Sequence, residues 1–268
     1  MNPYPEFINT LYPILKPTLM PEPIVEWQQI AWNPVTGCTP ISPACKHCYA
    51  LPIAQRFQHN NKDKYVDGFN LTLHPELLTR RFNTITKPSR IFVNSMSDLF
   101  HKNVPLNFIQ QVFKVIVANP RHLFLVLTKR AELLHQYRDE LPWPRNLLMG
   151  VSVENADYKH RIRLLQETDA VNKCVFFEPL LGDIGEVDLT GIKWAFIGGE
   201  SGANFRKLNR DWIYSIKEQC DQQGCTFILK HFGGYPKEAN GCLLDGIRYD
   251  DIPSVENCLE TYTQGLLF

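Results

Sequence analysis

From Trp27 onward the chain alternates short apolar runs with amphipathic stretches. Seven runs rich in Val, Ile, Phe and Leu read as strands: Gln29–Trp32, Arg90–Asn94, Leu123–Leu127, Leu147–Val153, Cys174–Phe177, Trp194–Ile197 and Thr226–Leu229. They are apolar at successive positions, as in parallel strands covered on both faces. The stretches between them read as helices with definite ends. Pro105 takes a first-turn position before Leu106, Ile109, Val112, Phe113, Ile116 and Val117, and Asn119-Pro120 is the stop. Asn155 is expected to cap a helix that buries Tyr158, Ile162 and Leu165. Asn209 is expected to cap another, carrying Trp212, Ile213, Ile216 and Cys220 and ending at Gly224. Shorter helices are expected over Tyr49–Gln58 and Arg130–Arg138.

Strand–helix repetition of this kind implies parallel units joined by right-handed crossovers. Six or seven such units predict an α/β fold, a parallel βα barrel or partial barrel of TIM type, in preference to an open three-layer sheet. The expected organisation has three parts. Residues 1–26 form an N-terminal extension with a short helix over Phe7–Leu15. Residues 27–232 form the barrel-like domain, with a cysteine-bearing loop at 33–49. Residues 233–268 form an irregular tail packed on it, with turns at Gly233-Gly234, Asn240-Gly241 and Asp245-Gly246 and room for a hairpin.

Composition narrows the function classes. Lys+Arg and Asp+Glu balance at 28 each, so no global field draws the 268-residue chain to nucleic acid or anionic membrane. Prolines at 3, 5, 13, 17, 21 and 23 break the N-terminal segment, which argues against a signal peptide. No apolar run reaches the ~18 residues needed to span a bilayer. A cytoplasmic location is therefore expected, and the eight cysteines are expected as thiols or metal ligands.

Three of those cysteines stand together. Cys38, Cys45 and Cys48 follow the first predicted strand with spacing C-x6-C-x2-C, in a loop stiffened by Pro34, Gly37, Pro40 and Pro43. The helix beginning near Tyr49 puts Cys45 and Cys48 at its positive end, which favours thiolate. A closed metal site wants four protein ligands, so three local thiolates suggest a site with one position open to an outside molecule. Zinc is the alternative: His47 lies inside the cluster, and Cys220 and Cys225 form a C-x4-C pair able to bring a fourth ligand. Cys174, within an apolar strand, reads as core, and Cys242 and Cys258 carry no spacing signal.

In βα barrels chemistry gathers at the carboxyl ends of the strands. Those ends carry Asn94-Ser95-Met96-Ser97-Asp98, Thr128-Lys129-Arg130, Ser152-Val153-Glu154-Asn155, Glu178-Pro179, Gly198-Gly199-Glu200-Ser201-Gly202 and Lys230-His231. Loop and cap positions are polar in any protein, which explains Ser95, Asn155 or Ser201 taken singly. Glu154, Glu178 and Glu200 fit that explanation less well, since three acids on one rim repel unless they bind something. The glycine-rich turn is expected to let backbone amides approach a ligand.

Taken together, WNPVTGCTPISPACKHCYA, NSMSDLF, GVSVEN, FFEPLLG and GGESG resemble a family of phage- and prophage-associated proteins with a three-cysteine motif. Through that motif the chain resembles the radical S-adenosylmethionine superfamily. The resemblance implies a 4Fe-4S cluster on Cys38, Cys45 and Cys48, with S-adenosyl-L-methionine chelating the open iron and yielding a 5′-deoxyadenosyl radical. It implies further that Ser95 and Asp98 hold the methionyl end and that Glu154 with Asn155 holds the ribose. Ser152, Gly198, Gly199 and Ser201 complete the cofactor-binding set. Lys129, Glu178, Glu200 and Lys230 are the catalytic candidates facing substrate. The substrate class suggested by phage context, Lys129-Arg130 and Arg161/Arg163 is a nucleotide or nucleic acid, and a flavodoxin or ferredoxin is the expected reductant. The superfamily's usual cysteine spacing is C-x3-C-x2-C, and its glycine–glycine–acid motif follows strand two rather than strand six.

Overall fold

The computed structural model of the protein describes residues 30–80, 82–237 and 239–259. The expected helix over Phe7–Leu15 lies outside them. All seven expected strands form: β1 (Ile30–Trp32), β2 (Arg90–Val93), β3 (Leu123–Thr128), β4 (Leu147–Ser152), β5 (Asn172–Phe177), β6 (Trp194–Gly198) and β7 (Thr226–His231). They pair in parallel in sequence order, in registers such as Ile30↔Ile91, Val93↔Val126 and Val151↔Val175. A strand order that never reverses keeps all right-handed crossovers on one face, so the sheet curls rather than lying open. The result is a seven-stranded parallel half-barrel.

Alternation along each strand separates two cores. Outward residues such as Phe124, Val126, Met149, Val175 and Ala195 pack against the helices. Those helices are α1 (Ala50–His59), α2 (Leu106–Val117), α3 (Ala131–Gln136), α4 (His160–Gln166) and α5 (Arg210–Gln223). Helix α2 buries the expected stripe of Ile109, Val112, Phe113 and Ile116. Pro105 stands one position earlier than expected, as the capping residue in extended conformation. Asn155 and Asn209 cap as expected, accepting from the Asp157 and Asp211 amides at 3.1 and 3.0 Å. Asn155 first caps a short 3-10 turn at Ala156–Tyr158, with α4 following it. Helix α5 ends at Gly224, whose φ of 67° is the left-handed conformation such a stop requires.

Inward residues Leu125, Leu148, Cys174, Phe176, Trp194, Phe196 and Ile228 form the second core. Helix α6 (Val255–Leu259) supplies Val255 and Cys258 to it, filling the inner face toward the amino ends of the strands. The tail also forms the expected hairpin, pairing Leu243–Leu244 with Ile247–Arg248. Its turn residues Asp245 and Gly246 both have positive φ, as a two-residue hairpin demands. Tail backbone covers the outer edge of β7, where the Leu229 and Phe232 amides donate to Tyr249 and Gly241 carbonyls. Among the described residues no helix is long and apolar enough to cross a membrane.

Candidate active site at the carboxyl rim

The cysteine loop leaves β1 at Asn33, whose Oδ1 accepts from Ser95 Oγ and the Met96 amide, both at 3.2 Å. Val35–Thr36 then pairs antiparallel with Thr72–Leu73. At Gly37 (φ 76°) a side chain would lie 2.0 Å from the Asn70 carbonyl, so only glycine fits this crossing. The Gly37 amide donates to Met96, and the Cys38 amide to Phe69. A 3-10 turn at Pro43–Cys45 leads into α1, and Tyr49 Oη donates to the Ser95 carbonyl at 2.6 Å. The loop is thus braced on the end of β2.

Cys38, Cys45 and Cys48 are all free thiols of intermediate exposure. Cys38 Sγ receives an N–H from Arg130 at 3.4 Å, and Cys45 Sγ is hydrogen-bonded to Ser42 Oγ at 3.8 Å. Burial pushes the Cys38 thiol up, more than the Arg130 charge draws it down. The donor chemistry fits an iron–sulfur cluster or zinc: three unoxidised sulfurs on one loop, one beside a buried cation. Among the described residues no three His, Cys, Asp or Glu side chains are gathered in a metal-holding arrangement.

Asp98 is engaged entirely by protein. Its Oδ1 accepts from Thr128 Oγ1 and the Phe100 amide, and its Oδ2 from the Lys129 amide and Arg130 Nη1 at 2.9 Å. It anchors Arg130 instead of facing a methionyl group. Ser95 likewise spends its hydroxyl on Asn33.

The three rim glutamates do not confront one another; each has its own cation. Glu200 is buried and accepts from His47 Nδ1 and the Arg206 amide and Nε at 2.9 Å, and from Arg206 Nη2. Arg206 also donates to the Pro43 carbonyl at 3.0 Å. Burial pushes the Glu200 carboxyl up, but these hydrogen bonds outweigh it and hold it at about 2. Glu200 therefore latches the cysteine loop to the end of β6 rather than facing substrate. Glu178 accepts from Lys230 Nζ at 2.6 Å and from His231 Nε2 at 3.1 Å. The Gly233 amide donates to His231 Nδ1, which puts the ring proton on Nε2. Burial acts upward on Glu178 too, and is outweighed by the Lys230 charge and both hydrogen bonds, which hold it well below the usual range. Glu154, fully buried, accepts from Arg161 Nη1 at 3.0 Å. Its Oε1, Arg161 Nε and Ser152 Oγ are buried with no protein partner.

The glycine turn serves packing. A side chain at Gly198 would lie 2.9 Å from the Glu178 carboxyl carbon, and one at Gly199 would lie 2.1 Å from the Phe232 carbonyl. Gly199 donates to His231, Gly202 to Gly234, and Gly234 back to Glu200, while Ser201 bridges Gly234. These amides join the ends of β6 and β7, contrary to the expected exposure to a ligand. Asn155 acts as a cap. The C-x4-C pair lies at the other end of the barrel, where the buried Cys220 closes α5 and Cys225 precedes β7. It brings no fourth ligand to the loop. Sequence reasoning missed Arg206, which lies in a loop without a motif. It also gave His231 no role, although its neighbour Lys230 was named.

Several solved structures are similar to this chain. Spore photoproduct lyase complexed with dinucleoside spore photoproduct is 11% identical, with a TM-score of 0.46. A double mutant of spore photoproduct lyase with bound AdoMet and dinucleoside spore photoproduct is also 11% identical, with a TM-score of 0.45. Each match covers 78% of this chain and 65% of the other, so the chain spans just under two-thirds of the length of these structures. No curated protein sequence matches it. Residues 22–253 match the family described as "Protein of unknown function (DUF5131)". The chain belongs to this family.

Proposed function

We propose that the chain is a radical S-adenosylmethionine-type enzyme, with Cys38, Cys45 and Cys48 holding a 4Fe-4S cluster. One observation carries the reading: three free, half-exposed thiols sit on a single braced loop at the carboxyl rim of a parallel half-barrel. When bound, the cluster supplies the electron that cleaves the sulfonium bond of S-adenosylmethionine and yields a 5′-deoxyadenosyl radical. Glu200, His47 and Arg206 fix the loop over the barrel mouth. Ser152 Oγ, Glu154 Oε1 and Arg161 Nε are buried polar atoms with capacity left for a ligand at the end of β4. Phe176 and Phe196, stacked at 4.3 Å, form an apolar floor that excludes water. Above that floor Lys230 Nζ donates to the Glu178 carboxylate at 2.6 Å, and this pair faces the substrate in the proposed reading. A nucleotide or nucleic acid is the proposed substrate class, a flavodoxin or ferredoxin the electron donor, and the cytoplasm the location. Anaerobic reconstitution, reduction and incubation with S-adenosylmethionine should release 5′-deoxyadenosine. A fully loaded, reduced protein that releases none would overturn the reading.

A closed zinc site in a binding protein is the second reading, favoured by His47. Its Nδ1 bonds the buried Glu200 carboxylate, the arrangement that orients a metal-binding imidazole through its other nitrogen. Colourless protein carrying about one zinc and no sulfide would establish that reading in place of the first.

A further inference from the structure

We propose that Arg130 sets the reduction potential of the cluster by hydrogen-bonding Cys38, and that Asp98 is the positioning residue that holds Arg130 in place. This rests on the three-cysteine cluster of the preceding section. Arg130 is buried at the end of β3, and Nη1 reaches both Asp98 Oδ2 at 2.9 Å and Cys38 Sγ at 3.4 Å. Nη2 donates to the Thr39 carbonyl at 2.8 Å and to Thr39 Oγ1 at 3.3 Å, so the guanidinium grips the residue after the cysteine as well. Thr39 is fixed in turn by His101. The Asn103 amide donates to His101 Nδ1, leaving Nε2–H to donate to Thr39 Oγ1 at 2.9 Å. The four donors that fill Asp98 include the Thr128 hydroxyl, which also accepts from the Arg130 amide. Backbone and side chain of Arg130 are therefore locked by one buried carboxylate.

A guanidinium held this way differs from a mobile surface cation. It approaches one sulfur of the three, and it is shielded from the water and salt that would screen its charge. A cation donating to a ligating sulfur draws electron density from the thiolate and stabilises the reduced, more negative cluster. Cys38 is thereby the electronically distinct ligand, while Cys45 Sγ is hydrogen-bonded to the neutral Ser42 hydroxyl.

The test compares reconstituted wild type with Arg130→Met, Arg130→Lys and Asp98→Asn, assaying iron and sulfide and then the midpoint potential by redox titration followed by electron paramagnetic resonance. With equal cluster content, Arg130→Met should lower the potential. At the potential where wild type is half reduced, its reduced-to-oxidised ratio should fall about tenfold, or ~59 mV for a one-electron couple. Arg130→Lys and Asp98→Asn should fall in the same direction by less. Equal potentials in loaded variants would overturn the proposal. Should Arg130→Met not fold, the lysine and asparagine variants decide on the same criterion. Folded variants that all fail to load, beside a loaded wild type, would make Arg130 a brace of the loop and overturn it too. A wild type that takes up no iron and sulfide removes the cluster itself, a result separate from any of these.

Discussion

His47 Nδ1 donates to Glu200 Oε2 at 2.9 Å, joining the loop after β1 to the turn after β6 across the side of the half-barrel that no strand closes. The two residues are 153 positions apart. Arg206 doubles the connection by reaching from Glu200 to the Pro43 carbonyl.

This latch should respond to acid. Glu200 titrates at about 2, against an ordinary value of 4.5. A depressed carboxyl contributes stability that is present above the ordinary value and lost as pH falls through the folded one. The contribution is at most ~3 kcal/mol. Urea unfolding at pH 7 should show Glu200→Gln less stable than wild type. The gap should narrow between pH 4.5 and 2, and a constant gap would refute the assignment.

Metal content should separate the cysteines. Cys45→Ala should lose most bound metal, whichever metal it is. Cys225→Ala, at the opposite end of the barrel, should retain it and cost only core stability of ~1–3 kcal/mol. Elemental analysis of both proteins purified without oxygen checks this.

Gly199→Ala should destabilise strongly. The added carbon would meet the Phe232 carbonyl at 2.1 Å, and backbone cannot swing aside as a flexible side chain would. A loss of ~2–3 kcal/mol or more is expected, read from the denaturation midpoint. Gly202→Ala is the comparison for space, since nothing lies within 4 Å of its added carbon, although its φ of 115° still imposes strain.

Glu178 and Lys230 should behave as a pair. A double-mutant cycle with Glu178→Gln and Lys230→Met should give a coupling energy of ~1–3 kcal/mol in stability. Additive effects would mean that the 2.6 Å contact carries no energy.

The framework was readable because its signals are local. Apolar runs such as Leu123–Leu127 announce buried parallel strands, Asn209 and Gly224 bracket α5, and Asp245-Gly246 marks a hairpin. The rim was only half readable. Glu154, Glu178 and Glu200 stand out by position, but their partners come from elsewhere: Arg161 seven residues on, Lys230 52 on, Arg206 from an unpatterned loop, and His47 from the loop after β1. Acids that look mutually repulsive in sequence are neutralised by partners that only the folded topology supplies. The glycine turn misled for a related reason. A glycine needed for close backbone approach looks the same whether the approaching group is a ligand or, as at Gly199, a neighbouring turn.

The tail that runs along β7 has a consequence for how copies of the chain treat one another. A half-barrel ends in two strands with unmet amides and carbonyls, each able to recruit a strand from another molecule. β1 forms one boundary. At the other, Tyr249 and Gly241 occupy the amides of Leu229 and Phe232. The segment after the barrel therefore works as a guard against self-association, and a chain shortened before Gly241 would be expected to aggregate while its cysteine loop remained intact.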